Sequence, residues 1–318
     1  MKAVFLDFAT LGDSPDPAAL YELLPDLELH AHTPPDAVAE RIRDAEIVFL
    51  NKVVLDRDAM RSAGNLRYVG VVATGTDNVD RDWAAEHGIA VTNIRAYCTQ
   101  SVTEHVFGSV LMLTHNLHRY RAEVARGRWQ EAKTFCLLDH PIRELSSMTL
   151  GIVGYGELGS AVARVAKQFG MTVLVSRRIG DDGDQVAGRV DFPLLLREAD
   201  VLSLHCPLND DTAGLIGAAE LDAMRSTAIL VNTARGGLVD SRALVAALKN
   251  GDIAAAAIDV LTDEPPASGD PLLDYRGDNL LLTPHIAWAT DRARQNALQE
   301  LAANLREWQE GSRRNRIV

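Results

Sequence analysis

Two α/β domains, each a parallel sheet clothed in helices, are what this sequence predicts, and three observations carry that reading. Short apolar runs alternate with helical segments along the chain. A glycine-rich turn sits between such a run and a helix near residue 155. With 318 residues, the chain is long enough to close two separate cores. No internal repeat and no low-complexity segment interrupts the alternation.

In residues 1–97 the strand candidates are 4–8, 46–50, 68–72 and 89–93, with helical segments at 17–24, 35–43, 58–63 and 80–87 between them. Strand and helix in alternation give a parallel sheet covered on both faces. Ligands of such sheets sit beyond the carboxyl ends of the strands. Two loops are therefore candidates: Asn51-Lys52, and residues 73–80 (ATGTDNVD). Thr74, Gly75 and Thr76 are small and leave backbone N–H groups open to an anion, with a plain polar turn as the alternative.

Residues 101–117 predict a helix opened by a capping box, Ser101 to Glu104, with Val102, Val106, Val110, Leu113 and Leu117 as its buried stripe. It is expected to bridge the two domains and begin the second. His115 and His118 lie three apart on it, but with no acidic or cysteine partner in register they predict no metal site. Residues 119–145 show little periodicity and contain the uncharged segment FCLL at 135–138. An apolar segment in so long a connection needs a burial partner, and a second copy of the chain supplies one, so a homodimer is expected.

The glycine turn follows. Leu150, Ile152 and Val153 form a strand, Gly154, Gly156 and Gly159 interrupt it, and Val162, Val165, Ala166 and Phe169 recur at helical spacing before a second strand at 173–175. This is the arrangement of a dinucleotide fingerprint. Gly154 permits the tight turn, Gly156 lets backbone approach a pyrophosphate, Gly159 lets helix pack on strand, and the helix N-terminus offers N–H groups to phosphate. Further strands are expected at 200–204, 228–232, 254–258 and 280–283, with a helix at 241–249 between Asp240 as N-cap and Gly251 past its end. A last helix, 289–309, buries Ala293, Ala297, Leu301, Leu305 and Trp308 and returns to the first domain. Residues 100–287 are thus expected to form a doubly wound dinucleotide-binding domain, inserted in a substrate-binding domain made of 1–99 and 288–318.

Composition narrows the class. A net charge of −12, with Arg313, Arg314 and Arg316 as the only basic cluster, argues against nucleic acid as a partner. Cys98, Cys136 and Cys206 are too few for a disulfide framework and suit a reducing cytoplasm. No apolar run is long enough for a membrane span, and the N-terminus is too short an apolar run for a signal peptide. A cytoplasmic protein with a small-molecule substrate is expected.

Three polar residues stand just past late strands: Arg235, Glu264 and His285. Reducing a 2-keto acid needs a cation for the carboxylate and polarised carbonyl, and an acid to protonate the new alkoxide. The fixed fork of arginine suits the first. Histidine suits the second, with a carboxylate to set its tautomer and stabilise its charged form.

With those residues in place, the chain resembles the D-isomer-specific 2-hydroxyacid dehydrogenases, and within them the glycerate dehydrogenases, or hydroxypyruvate reductases. The motifs are ATGTDNVD at 73–80, residues 101–105, GRWQ at 127–130, the fingerprint at 151–159, HCPL at 205–208, NTARGGLVD at 232–240, IDVLTDEPP at 258–266 and TPHIAWAT at 283–290. The resemblance implies a Rossmann domain inserted in a flavodoxin-like one. It also implies Arg235 as the substrate-binding catalytic arginine, His285 as the proton donor and Glu264 as its partner. Asn51, Lys52, Thr74, Gly75 and Trp288 join Arg235 and His285 around the substrate. Glu157, Leu158, Cys206, Pro207, Thr233, Ala234, Arg235, Asp259, His285 and Ala287 touch the cofactor. Glutamine stands at position 264 in a relative that oxidises formate, which counts against that activity. Corepressors that sense the dinucleotide, and sister enzymes acting on another 2-keto acid or on phosphite, are the alternatives.

One position departs from the family pattern. An acidic residue ordinarily closes the second strand of the fingerprint and binds the ribose hydroxyls. Here Ser176, Arg177 and Arg178 stand there, and two arginines favour a 2'-phosphate, so NADP(H) is expected ahead of NAD(H). Asp181, Asp182 and Asp184 are near enough to offset part of that charge.

Overall fold

The computed structural model describes residues 1–180 and 188–318. The chain divides into two compact units, Met1–Cys98 with Trp288–Val318, and Thr99–Ala287.

In the first unit, β1 (Ala3–Phe5), α1 (Ala18–Leu23), β2 (Glu28–Leu29), α2 (Val38–Ile42), β3 (Ile47–Leu50), α3 (Arg57–Arg61), β4 (Tyr68–Val71), α4 (Arg81–Glu86) and β5 (Ala90–Thr92) alternate. Among the described residues the sheet has five parallel strands in the order β2-β1-β3-β4-β5. Every residue of β1, β3, β4 and β5 is buried, as expected of parallel strands covered on both faces. One face packs Val4, Val48 and Val69 against α2 and α3 residues such as Ile42 and Met60. The other packs Phe5, Phe49 and Tyr68 against Leu298, Leu301 and Leu305 of the C-terminal helix, Asp291–Gln309. Each such fully buried leucine contributes about 1.5–3 kcal/mol. Thr290 caps that helix, accepting from the N–H of Ala293.

In the second unit, α5 (Thr99–Thr114) and α6 (Leu117–Ala125) precede β6 (Thr149–Val153), α7 (Glu157–Gln168), β7 (Thr172–Ser176), β8 (Arg189–Val190), α8 (Phe192–Glu198), β9 (Val201–Leu204), α9 (Ala218–Ala223), β10 (Ile229–Asn232), α10 (Ser241–Asn250), β11 (Ala255–Ile258), α11 (Pro271–Asp274) and β12 (Leu280–Leu282). The described residues form seven parallel strands in the order β12-β11-β10-β9-β6-β7-β8. Counted within this unit, that is 3-2-1-4-5-6-7, with the order reversing between β6 and β9. The two-domain parallel α/β class read from the sequence is therefore the class observed. No helix among the described residues is long and apolar enough to cross a membrane.

Three local expectations need correction. The helix expected from residue 101 starts at Thr99, and Ser101 is buried inside it, with Oγ donating to the Ala287 carbonyl at 2.7 Å rather than capping. It also stops at Thr114, because Asn116 takes a left-handed conformation (φ 50°) that starts a separate helix carrying Leu117, now exposed. Phe169, read at helical spacing with Val162, Val165 and Ala166, falls just past the end of α7, where it is exposed and stacks on Phe107 at 5.2 Å. The segment read as aperiodic from residue 119 belongs, up to Ala125, to α6.

Candidate active site

Sequence dictates the cradle at the end of β6 through its glycines. Gly154 has φ +91°, and a Cβ there would lie 2.5 Å from the Cys206 nitrogen and 2.7 Å from the His205 carbonyl oxygen. A Cβ on Gly159 would lie 2.0 Å from the Gly154 oxygen, so α7 approaches the turn as closely as backbone allows. On the Gly156 side nothing comes within 4 Å, which leaves bare backbone at the N-terminus of α7, where Glu157 and Leu158 begin the helix. The Thr233 hydroxyl is buried with no hydrogen-bond partner, and so is Nδ1 of His205. An uncommitted buried hydroxyl and an open glycine backbone at a helix start are what a dinucleotide would complete. Loss of water holds the His205 imidazole neutral, with its pKa pushed down to about 4, and pushes the neighbouring Cys206 thiol up to about 11, so neither carries charge into the cradle at neutral pH.

At the end of β7, Ser176 is buried and its hydroxyl donates to the Arg177 carbonyl. The Arg177 guanidinium reaches Asp191 at 2.6 Å. Asp191 is the acid that sequence reading missed, because it approaches through β8, a two-residue strand too short to announce itself. Asp181, Asp182 and Asp184 lie outside the described residues.

The candidate reactive residues Arg235, Glu264 and His285 stand on three loops of the second unit. Asn232, fully buried at the end of β10, accepts from the Ala234 N–H at 3.0 Å and donates to the Arg235 carbonyl at 2.8 Å, closing the turn that presents Arg235. One guanidinium nitrogen of Arg235 donates to the Ala234 carbonyl at 2.8 Å. A Cβ on Gly236 would lie 2.0 Å from the carbonyl carbon of Leu261, so this turn lies flush against the loop that carries Glu264. Glu264 accepts the Leu261 N–H through one oxygen at 2.9 Å, and the other meets Nδ1 of His285 at 2.5 Å. A carboxylate only accepts, so Nδ1 carries the proton and Nε2 is the nitrogen that can exchange one with a ligand. His285 has φ +56°, a left-handed conformation unfavourable outside glycine. Its own N–H donates to the Asp259 carbonyl at 2.7 Å. The buried Asp259 carboxylate accepts from the N–H groups of Ile286 at 2.9 Å and Ala287 at 2.8 Å. Sequence reading placed Asp259 at the cofactor and missed this holding role. A lone acid closing an all-apolar strand was the available clue.

In the first unit, the loop after β3 is held by one buried acid. Asp7 accepts from the N–H groups of Asn51 at 2.8 Å, Lys52 at 2.6 Å and Val53 at 3.1 Å. The Asn51 amide donates to Thr10, and the Asn78 amide donates to the carbonyls of Asn51 and Val53. After β4, the Thr74 carbonyl accepts from Asn93 at 2.7 Å, while Thr74 is exposed and Gly75 half-buried. The Trp288 ring lies 6.3 Å from that of Tyr97. Asn51, Lys52, Thr74 and Gly75 all follow carboxyl ends of strands, where ligands of such sheets bind.

Comparison with known proteins agrees with this chemistry. The family described as D-isomer specific 2-hydroxyacid dehydrogenase, NAD binding domain, matches residues 107–287. Glycerate dehydrogenase of Methylorubrum extorquens is 42% identical over 281 residues, 88% of this chain and 88% of its own. Hydroxypyruvate reductase of Blautia hydrogenotrophica is 36% identical over 87% of this chain and 86% of its own. Among solved structures, D-lactate dehydrogenase of Aquifex aeolicus, complexed with NAD and lactic acid, superposes with a TM-score of 0.83 at 28% identity, covering 100% of this chain and 99% of that one. An acyclic imino acid reductase in complex with NADPH and D-Arg gives 0.87 at 26% identity, covering all of both chains.

Proposed function

The chain belongs to the D-isomer-specific 2-hydroxyacid dehydrogenases, and on that premise we propose that it reduces hydroxypyruvate or glyoxylate, reversibly, to D-glycerate or glycolate. The observation that carries this reading is the 2.5 Å contact between His285 Nδ1 and Glu264, whose loop lies against the Arg235 turn. The bound nicotinamide dinucleotide supplies the hydride. Gly154, Gly156 and Gly159 would leave room for its pyrophosphate, and the N–H groups of Glu157 and Leu158 at the helix start would hold the phosphates. The Thr233 hydroxyl, with Ala234, Cys206, Pro207, Asp259 and Ala287, completes the wall. Arg235 binds the substrate carboxylate and polarises the carbonyl. Nε2 of an imidazolium at His285 gives its proton to the carbonyl oxygen, and the Glu264 carboxylate offsets the imidazolium charge before transfer. In the first unit, Thr74 and Gly75 are the residues assigned to the substrate carboxylate, with Asn51, Lys52 and Trp288 as further substrate-binding residues. Assay of hydroxypyruvate, glyoxylate, pyruvate and 2-ketoisocaproate, each with NADPH and NADH, tests the reading. The first two should give the highest kcat/KM, and a clear preference for 2-ketoisocaproate would overturn it.

NADPH is the preferred cofactor in this reading, because Ser176, Arg177 and Arg178 stand where a ribose-binding acid is usual. Asp191 competes for Arg177, which limits the preference without reversing it. Arg177→Asp should lower the NADPH-to-NADH ratio of kcat/KM by roughly tenfold or more, the scale of a charge-assisted hydrogen bond. An unchanged ratio would contradict the assignment.

The working form is a cytoplasmic homodimer. Phe135 is 91% exposed and Leu138 80%, and Trp129 and Ile142 are exposed nearby in the same connection. So much exposed aromatic and aliphatic surface fits burial against a second copy. Its three cysteines are free thiols, as suits a reducing compartment. Sedimentation equilibrium should return twice the chain mass, shifting towards the monomer in Phe135→Asp/Leu138→Asp. A wild-type monomer would refute it.

A further inference from the structure

Behind the His285 loop lies a second histidine that the proposed reaction does not use. His105 is carried by α5, with its side chain 19% exposed. Its Nε2 lies 3.3 Å from Thr283 Oγ1 and 3.8 Å from Asp259 Oδ1. We propose that His105 is a positioning residue for His285, acting through Thr283 and Asp259 to hold the proton-transfer loop in its left-handed turn. The inference rests on the reading of His285 as the proton donor.

The direction of each hydrogen bond follows from what each group can give. Asp259 Oδ1 lies 2.5 Å from Thr283 Oγ1, and a carboxylate only accepts, so the single hydroxyl proton of Thr283 points to Asp259. Thr283 therefore has only lone pairs to offer His105. Nε2 of His105 must carry a proton and donate it, which fixes its tautomer from the protein side alone. The same carboxylate accepts the N–H groups of Ile286 and Ala287, the two residues after His285. A buried carboxylate depends on each of its donors, and a non-glycine residue at φ +56° persists only where its surroundings over-determine it.

The chain of contacts thus runs from α5 through the Thr283 hydroxyl to the Asp259 carboxylate, then through two backbone N–H groups to the peptide flanking the imidazole. Without the His105 donor, the Thr283 hydroxyl keeps its bond to Asp259 but loses the second of the two contacts that fix its orientation. The carboxylate can then rotate, and the loop that aims Nε2 of His285 loses its anchor. Asp259 is the acid within 4 Å of the His105 ring among the described residues, so a second proton on His105 would only tighten the same contact. His105 meets the proposed cofactor wall only at Asp259, so its effect is read as a split between kcat and cofactor affinity.

The test compares His105→Leu, His105→Gln and Thr283→Val in the full chain, with His285→Ala beside them. His105→Leu should lower kcat by about tenfold, the consequence of a misaimed reacting group, with a smaller change in the dissociation constant of NADPH. His105→Gln, whose amide N–H can reach the same Thr283 oxygen, should restore most of the lost kcat. Thr283→Val breaks the chain at the next link and should reproduce the loss if His105→Leu fails to fold. Full kcat in His105→Leu, even with a lower unfolding temperature, would overturn the proposal, as would His105→Gln as slow as His105→Leu. A fully active His285→Ala would instead sink the reading of His285 itself. An inactive His285→Ala beside an unimpaired His105→Leu would refute only the role of His105.

Discussion

Replacing His285 by alanine should abolish reduction while NADPH still binds. A histidine side chain is suited to passing a proton to a carbonyl oxygen. Nδ1 of His285 is already committed to Glu264 at 2.5 Å, which leaves Nε2 for the substrate. General acid catalysis by a positioned histidine contributes about 10²–10⁴ in rate, and here loss of the imidazole also strands the Glu264 carboxylate beside the developing alkoxide. The expected fall in kcat is therefore at least about a thousandfold. The cradle built by Gly154, Gly156 and Gly159 is untouched, so NADPH should still quench or enhance tryptophan fluorescence at nearly the wild-type concentration. Turnover within about tenfold of wild type would remove His285 from the mechanism.

Arg235→Ala should cost about 3–4 kcal/mol of transition-state stabilisation, or roughly 10²–10³ in kcat/KM. Its guanidinium sits on a turn closed by the fully buried Asn232 and pressed against the loop of Glu264, so its position is fixed before substrate arrives. A prearranged cation stabilises the growing negative charge on oxygen more than it stabilises the neutral ketone, so the loss should fall on kcat as well as KM. A small rise in KM with kcat intact would mean that Arg235 only binds. Lysine should rescue in part, keeping the charge but not the two-pronged geometry.

The fold was legible where local and tertiary demands agree. Apolar runs such as Ile47–Leu50 and Ile229–Asn232 are buried along their whole length in parallel sheets, so composition alone marks them. Where long-range contacts decide, local pattern misled. Ser101 and Glu104 have the spacing of a capping box, but the Ala287 carbonyl, 186 residues away in sequence, takes the serine hydroxyl. β2 and β8, two residues each, owe their existence to neighbouring strands and left no periodicity to read.

The candidate site divides in the same way. Glu264 and His285 were placed from strand ends, and side chains at neighbouring carboxyl ends of one sheet have few other places to converge. The glycine spacing of the fingerprint carries its own geometry, visible in the 2.0 Å approach that a Cβ on Gly159 would make to Gly154. What stayed hidden are the groups that hold the reactive ones. Asp7 beneath Asn51 and Lys52, Asp259 beneath His285, and Asp191 against Arg177 each act across gaps of 14 to 46 residues. Such pairings are properties of the closed sheet, and a carboxylate in a sequence does not say which backbone N–H groups it will meet.

The most direct test of the central claim is the configuration of the product. Purified protein given hydroxypyruvate and NADPH should consume the two in equal amounts and yield D-glycerate alone by chiral chromatography. Formation of L-glycerate, or oxidation of NADPH without any hydroxy acid appearing, would contradict it.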